Sequence, residues 1–575
     1  MKKKLFALLV SLIAVMFVFT GCGDKELNMK LSFVYYGPDE PVGAGLVDSV
    51  SERDYNHSLF YRNELTSHGA DPSAIYVTEG DEKGYFYMYA TSDEIGVSGY
   101  QCWRSKDLVN WECRGVAFVP DRNCWALTNY WAPEVIYDED DKTYYMYYNA
   151  DNLSNGGVKC MGLATSKTPY GPFVQYTNPD KGITLTTPLF DFTKMADDDP
   201  LTEKDGNRKR AMKVIDACPF KDDDGQKYMY FCHDLGDGGD CNGYSQSSIY
   251  VIKMTDWYTP DYTQVRKLTH PNKITTENVI MDTSPTSALL EGDVNEGPYM
   301  YKYNGKYYLT YSANNYEQKA YSVRVAVSDK PMGPFTKLTR EEGGWLLSAE
   351  SHWDHASGSG HHSFAQAGDE LFIIYHAHVD RLIGSGQRAI AGDRVLFTKN
   401  AAGLDVPYAN GPTYSLQPLA AEVSGYKNIA GKATVTATNT AEGSDVALLT
   451  DGLVKYHDYL VEEYRANAGK SVITLTFDDY VPTRAVMIFN SYNFNDAIGR
   501  ISNIEFEYKA PGAYGIAHTG PLLFDWTSYC TMSNTMRPGG SFTVEYAEML
   551  TKSIKITINN GDAPFALSDI VVLGK

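Results

Sequence analysis

The sequence predicts an all-β chain, a five-bladed β-propeller followed by a β-sandwich, on three observations. From about residue 70 to 400, short runs rich in Tyr, Phe, Val and Ile alternate with acidic or glycine-containing turns, the pattern of strands, and helical periodicity is nearly absent. Five pairs of these runs begin alike, which marks an internal repeat. Past about residue 415 a second series of alternating strands begins, and at 575 residues the chain is too long for one ordinary domain.

In chain order, the first element is not part of either domain. Residues 1–22 read MKKKLFALLVSLIAVMFVFTGC, three lysines, an apolar run, then small residues and a cysteine. That is the layout of an export signal, too short and wrongly flanked for a membrane span. Its ending, Phe19-Thr20-Gly21-Cys22, resembles a bacterial lipobox, which implies cleavage after residue 21 and lipidation of Cys22. Cleavage removes three lysines and no acid, taking the net charge from −21 to −24. Acidity of this size excludes a general nucleic-acid binder, which depends on phosphate neutralisation. Eight cysteines remain and none forms a CxxC pair, so a zinc site is unsupported, while export permits disulfides whose pairing stays open.

The propeller is expected over residues 22–415. Its five pairs are ADPSAIYV with YFYMYATS, WAPEVIYD with YYMYYNA, IDACPFKD with YMYFCHD, NEGPYMYK with YYLTYSA, and GHHSFAQA with LFIIYHA. The second members start at residues 85, 144, 228, 307 and 371, and SKDLVNWE, SKTPYGPF and SDKPMGPF follow at matching places in three units. Units this long, each of several strands, suit propeller blades better than solenoid coils. Asp222-Asp223-Asp224-Gly225 lacks the spaced ligands of a calcium loop and reads as a hairpin turn, as does Asn304-Gly305.

Ring closure brings the start of each blade to one central funnel. The signature positions there are Asp71, Trp131, Asp216, Glu296 and His361. Crowded carboxyls raise one another's pKa, so that one stays protonated while another ionises, the pairing that cleavage of a glycosidic bond uses. Each residue alone has an ordinary reading. Asp before Pro is a common turn element, Trp131 reads equally as a sugar platform or a core aromatic, and Arg388 as a reach to a substrate hydroxyl or an ion pair.

Residues 30 to 410 resemble glycoside hydrolase family 43, five-bladed propeller enzymes that cleave with inversion. The resemblance rests on Ala70-Asp71-Pro72-Ser73, Ile215-Asp216-Ala217, Asn295-Glu296-Gly297-Pro298 and Gly358-Ser359-Gly360-His361-His362-Ser363. It implies that Asp71 is the general base, that Glu296 is the general acid and that Asp216 orients the acid and tunes its pKa. It implies that His361 holds a calcium ion or a water in the channel. One departure is Ala217 where a proline commonly follows the Asp. The expected substrate is an oligo- or polysaccharide, with no cofactor needed for the chemistry. Among the family's activities, an exo-acting α-L-arabinofuranosidase or β-xylosidase is expected, against a galactan- or galactofuranose-directed enzyme or a non-catalytic glycan-binding lipoprotein.

Residues 416–575 resemble the discoidin, or coagulation factor 5/8 type C, sandwich. The carriers are Asn428-Ile429-Ala430, Thr434-Val435-Thr436-Ala437, Leu449-Thr450-Asp451-Gly452 and Ile570-Val571-Val572-Leu573-Gly574. This implies a carbohydrate-binding or a purely structural module, and Tyr456, Tyr459, Tyr492 and Trp526 read equally as sugar platforms or core. Together these readings describe an exported lipoprotein of the cell envelope, anchored to the membrane by its N-terminal lipid.

Overall fold

The computed structural model describes residues 33–38 and 59–575, apart from 66–67, 92–98, 153, 155–157, 191–212, 234–246, 270, 272–290, 293, 349–355, 381–386, 500, 510–517 and 521–537. The export signal, Cys22 and Trp526 lie outside the described residues.

Five antiparallel sheets follow one another in sequence, each a meander in which neighbouring strands pair in chain order. Blade 1 is built of Ser73–Tyr76, Phe86–Tyr89, Tyr100–Ser105 and Glu112–Phe118. Blade 2 is Ala126–Asp138, Thr143–Asn152, Val158–Ser166 and Val174–Gln175, and blade 3 is Val214–Lys221, Lys227–His233, Ser248–Asp256 and Thr259–Lys267. Blade 4 is Asn295–Tyr303, Lys306–Ala313, Ser322–Ser328 and Thr336–Lys337, with Trp345–Leu347 added on its third strand. Blade 5 is Gly360–Ala367, Glu370–His378, Arg388–Lys399 and Asp405–Ala409. The first strand of each blade contacts that of the next, and the first strand of blade 5 contacts that of blade 1, so the ring closes. Phe60–Tyr61, ahead of blade 1, pairs with Gln417–Pro418, beyond blade 5, and fastens the closure.

The tyrosine-rich second strands explain the composition. In blades 2 and 5 they are buried almost end to end, because each is sandwiched between the faces of its neighbours. Buried tyrosine needs a partner for its hydroxyl, and here the partner lies in the next blade. Tyr89 donates to the carbonyl of Pro169, Tyr147 to Trp257 (2.7 Å), Tyr230 to Pro331 (2.7 Å) and Tyr308 to Asp405. Phenylalanine would fill the same space without the latch. At the closure the polar partner is Asp393, wholly buried, which accepts from Tyr375 (2.6 Å), Gln417 (2.6 Å) and Asn63 (3.1 Å).

The acidic turns are hairpins as expected: Asp222–Gly225 closes on a backbone bond, and Asn304 and Gly305 both adopt positive φ. The described cysteines Cys102, Cys113, Cys124, Cys160, Cys218 and Cys232 are free thiols.

Beyond the propeller lies a nine-stranded sheet, with Lys470–Asn490 and Ser541–Asn559 as its long central strands and its own apolar core around Ile473, Val486, Ile556 and Val572. Phe33–Pro38 joins this sheet by pairing with Ser541–Asn559, so the first described strand, expected within residues 22–415, belongs to the C-terminal unit. The two units share a core. Leu59, Phe60 and Leu416 pack with Tyr426, Tyr456 and Val571. Tyr456 is buried there, and Tyr459, also buried, donates to the Trp345 carbonyl (3.1 Å), so both are interface residues and not sugar platforms. A cavity of about 490 Å³ lies between the units, among Tyr303, Phe397, Arg394 and Asp451.

Candidate active site

The funnel residues sit where each inner strand turns toward the axis. One residue per blade takes a left-handed backbone there: Asp71 (φ 52°), Ala132 (φ 37°), Asp216 (φ 58°), Gly297 (φ 53°) and His361 (φ 44°). In blades 2 to 5 the strand register also shifts at that point, between Trp131 and Glu134, Ile215 and Cys218, Glu296 and Tyr299, and Gly360 and Ser363. Four of the five are not glycine, and a left-handed conformation costs such residues energy, a cost found mostly where a side chain must be aimed. The bulge therefore offers two adjacent positions. Asp71, Asp216 and His361 occupy the left-handed one, whereas Trp131 and Glu296 precede it. Spacing alone reads the five as equivalent; the extra residue of a bulge makes the side chains of neighbouring positions diverge.

Asp71 is the most constrained of them. Its Oδ1 meets Arg388 Nη1 at 3.1 Å, His361 Nδ1 at 3.3 Å and His376 Nδ1 at 3.4 Å. Thr91 Oγ1 donates to its Oδ2 (2.6 Å) and accepts from the Ala132 amide (2.9 Å), tying blade 1 to blade 2. Burial pushes the carboxyl up, but the Arg388 guanidinium beside it holds it well below the ordinary carboxylate range. Asp71 is therefore a carboxylate at neutral pH. The histidines stay neutral: burial pushes His361 down despite Asp71, and takes His376 to about 3.

Asp216 is buried, and its Oδ2 accepts the Gly297 amide at 2.9 Å, so it grips the backbone directly beside Glu296. His361 bridges the two aspartates, with Nε2 4.0 Å from Asp216 Oδ1. Glu296 is half-buried and its Oε1 accepts from the Tyr321 hydroxyl at 2.7 Å. Tyr321 links the two carboxyls, its hydroxyl reaching Glu296 and its ring stacking on His376, which accepts the Asp71 amide. Tyr316 is 36 % exposed, with the Arg388 guanidinium 4.5 Å over its ring.

Arg388 thus takes the ion-pair alternative, with the proposed base itself as partner. Trp131 is half-buried, with the Lys159 ammonium 3.4 Å from its ring centre, so a cation covers one face. Thr91 and His376 escape sequence reading because they stand in the second members of the repeated pairs and not at the signature positions, and Tyr321 because it lies just before the third strand of blade 4, outside the repeat. Glu134, in the Trp131-Ala132-Pro133-Glu134 stretch, is a further omission: it lines a small axial cavity of about 10 Å³ with Asp71, Asp216 and His361.

Calcium at His361 meets a poor donor set. Both ring nitrogens face carboxylates already engaged, and among the described residues no three His, Cys, Asp or Glu side chains are grouped to share a metal ion. Calcium takes about six to eight oxygens, which these residues do not assemble, so no step is derived through it.

Glu134 yields a stability prediction. Burial pushes it up to about 8 from 4.5, partly countered by the Ser73 hydroxyl. The native state holds this proton where the unfolded chain has released it, so stability falls as pH rises from about 4.5 through 8, by on the order of a few kcal/mol. Glu134→Gln, which keeps the shape and the Ser73 partner, is expected to flatten that alkaline decline. Equal slopes of melting temperature against pH for the two proteins count against it.

A family model decides the identity. Residues 64–399, more than half of the chain, match glycosyl hydrolases family 43. The chain belongs to that family. It is therefore a glycoside hydrolase by family, carried on an all-β, five-bladed propeller. A β-xylosidase of Xylanibacter ruminicola is 27% identical over 258 residues, 43% of this chain and 66% of that protein. A xylosidase/arabinosidase of Bacteroides ovatus is 25% identical over 335 residues, covering 53% of this chain and 85% of the relative. Among solved structures, a thermostable family-43 glycoside hydrolase is 30% identical, covers 63% of this chain and 99% of its own, and superposes with a TM-score of 0.48. This chain thus spans just under two thirds of the Xylanibacter relative.

Proposed function

We propose that this family-43 chain is an inverting, exo-acting glycosidase that removes terminal α-L-arabinofuranosyl or β-xylosyl units from polysaccharide side chains. The observation that carries the reading is the unequal surroundings of two carboxyls that the ring brings together through Tyr321 and His376. Asp71 faces the Arg388 guanidinium at 3.1 Å, which favours its ionised form, whereas Glu296 accepts from the Tyr321 phenol at 2.7 Å. Water held by Asp71 loses its proton as it attacks the anomeric carbon, while Glu296 protonates the departing glycosidic oxygen on the opposite side, in a single displacement. Asp216, bonded to the Gly297 amide, fixes the backbone that presents Glu296 and supplies the negative charge that favours its protonated form. In the axial cavity a water is the better occupant than calcium, since the volume suits about one molecule and the lining does not assemble the oxygen ligands calcium takes.

The sugar comes from the names of the relatives. A panel of aryl α-L-arabinofuranoside, β-xyloside and β-galactofuranoside, with arabinan, xylan and galactan, tests it. Release of a single pentose with inverted anomeric configuration, followed by nuclear magnetic resonance, is expected; a retained anomer, or binding without release, overturns the proposal. On the same footing, Cys22 is proposed to carry lipid and hold the enzyme at the cell envelope, and the C-terminal sheet to be a discoidin-like module. Cys22→Ala is expected to move the protein into the soluble fraction.

A further inference from the structure

Tyr321 stands on the third strand side of blade 4, away from every repeated motif, yet several constraints meet on it. Its hydroxyl donates to Glu296 Oε1 at 2.7 Å. Its ring is wholly buried and lies parallel to His376, 4° between planes and 5.4 Å between centres. On another side it packs so closely on Gly360 that a Cβ there would fall 2.3 Å from the ring. Any side chain at position 360 would displace the phenol, which gives the second glycine of the Gly358-Ser359-Gly360-His361 stretch a physical reason. His376 in turn accepts the backbone amide of Asp71 at 3.1 Å. The acid and the base are thereby linked through one stacked pair of rings.

We propose that Tyr321 is a positioning residue that selects which oxygen of Glu296 carries the catalytic proton and strengthens it as an acid. The inference rests on Glu296 being the general acid. A phenol with a pKa raised by burial and by Glu296 stays protonated, so it is a donor throughout the pH range of activity. While Glu296 is protonated, Oε1 accepts from Tyr321 and the proton resides on Oε2, aimed at the glycosidic oxygen. Once the proton has left for that oxygen, the same hydrogen bond meets a carboxylate and is stronger. Loss of the phenol therefore weakens the acid and frees its orientation.

The test compares wild type with Tyr321→Phe on aryl glycosides whose leaving groups span dinitrophenol to unactivated alcohols. A hydrogen bond to a charged group corresponds to roughly 10- to 100-fold in rate on the poorest leaving groups. The deficit is expected to shrink as the leaving group improves, and the alkaline limb of kcat/KM to move to higher pH. A uniform loss across leaving groups with an unmoved limb overturns the inference. Because Tyr321 is buried, 2,3-difluorotyrosine at the same position provides a second variant that preserves packing. Its more acidic phenol is expected to move the alkaline limb the other way, and no movement overturns the inference. Glu296→Gln separates the two levels: if it retains activity, the assignment of the acid fails and this inference with it; if it is inactive while Tyr321 variants behave as wild type, only the inference fails.

Discussion

Glu296→Gln is expected to lower turnover of unactivated glycosides by about 10²- to 10⁴-fold, the usual contribution of general acid catalysis. The amide keeps the shape of the acid and still accepts from Tyr321 (2.7 Å in the native protein), so folding should be preserved. What it cannot do is give a proton to the departing oxygen. The loss should therefore nearly vanish for a dinitrophenyl leaving group, whose oxygen departs unprotonated. The alkaline limb of the pH profile should disappear with the acid. Near-wild-type hydrolysis of xylan or arabinan side chains by the purified variant removes Glu296 from that role.

The propeller was legible because its repeat is written in residue types that strands require, and because closure of a ring needs no long-range signal beyond five like units. Asp71, Asp216 and Glu296 were legible for the same reason, since each stands beside a turn at the start of a unit. The finer placement was not. Trp131 and Glu296 stand one residue before the left-handed position that Asp71, Asp216 and His361 occupy, and a bulge leaves no mark in spacing. Thr91, Tyr321 and His376 were hidden because a threonine, tyrosine or histidine in or beside a strand looks like strand packing. Thr91 reaches Asp71 and Tyr321 reaches Glu296 within one blade, whereas only the closed ring shows that His376 of blade 5 lies between Tyr321 and Asp71. The strand Phe33–Pro38 joins a sheet formed some 500 residues later, a pairing no local pattern encodes.

Asp71→Asn is expected to remove turnover on a similar scale, about 10²- to 10⁴-fold, but with a different signature. Deprotonation of water is needed whatever the leaving group, so dinitrophenyl substrates should be as impaired as the rest. The variant should also be less stable, because Arg388, only 8 % exposed, loses the carboxylate that faces it at 3.1 Å. Removing one partner of a buried charge costs on the order of 1–3 kcal/mol here, part of it relieved by the Tyr316 ring. The sign with pH follows from the lowered pKa. The carboxylate's contribution is fully present above the unfolded value of 3.8 and is lost as pH falls through the native one. The stability gap between wild type and Asp71→Asn, read from denaturant unfolding, should thus be full at pH 7 and narrow below about pH 4. A gap that stays constant into acid means that Asp71 is not held ionised by Arg388, and the electrostatic basis for its choice as the base is gone.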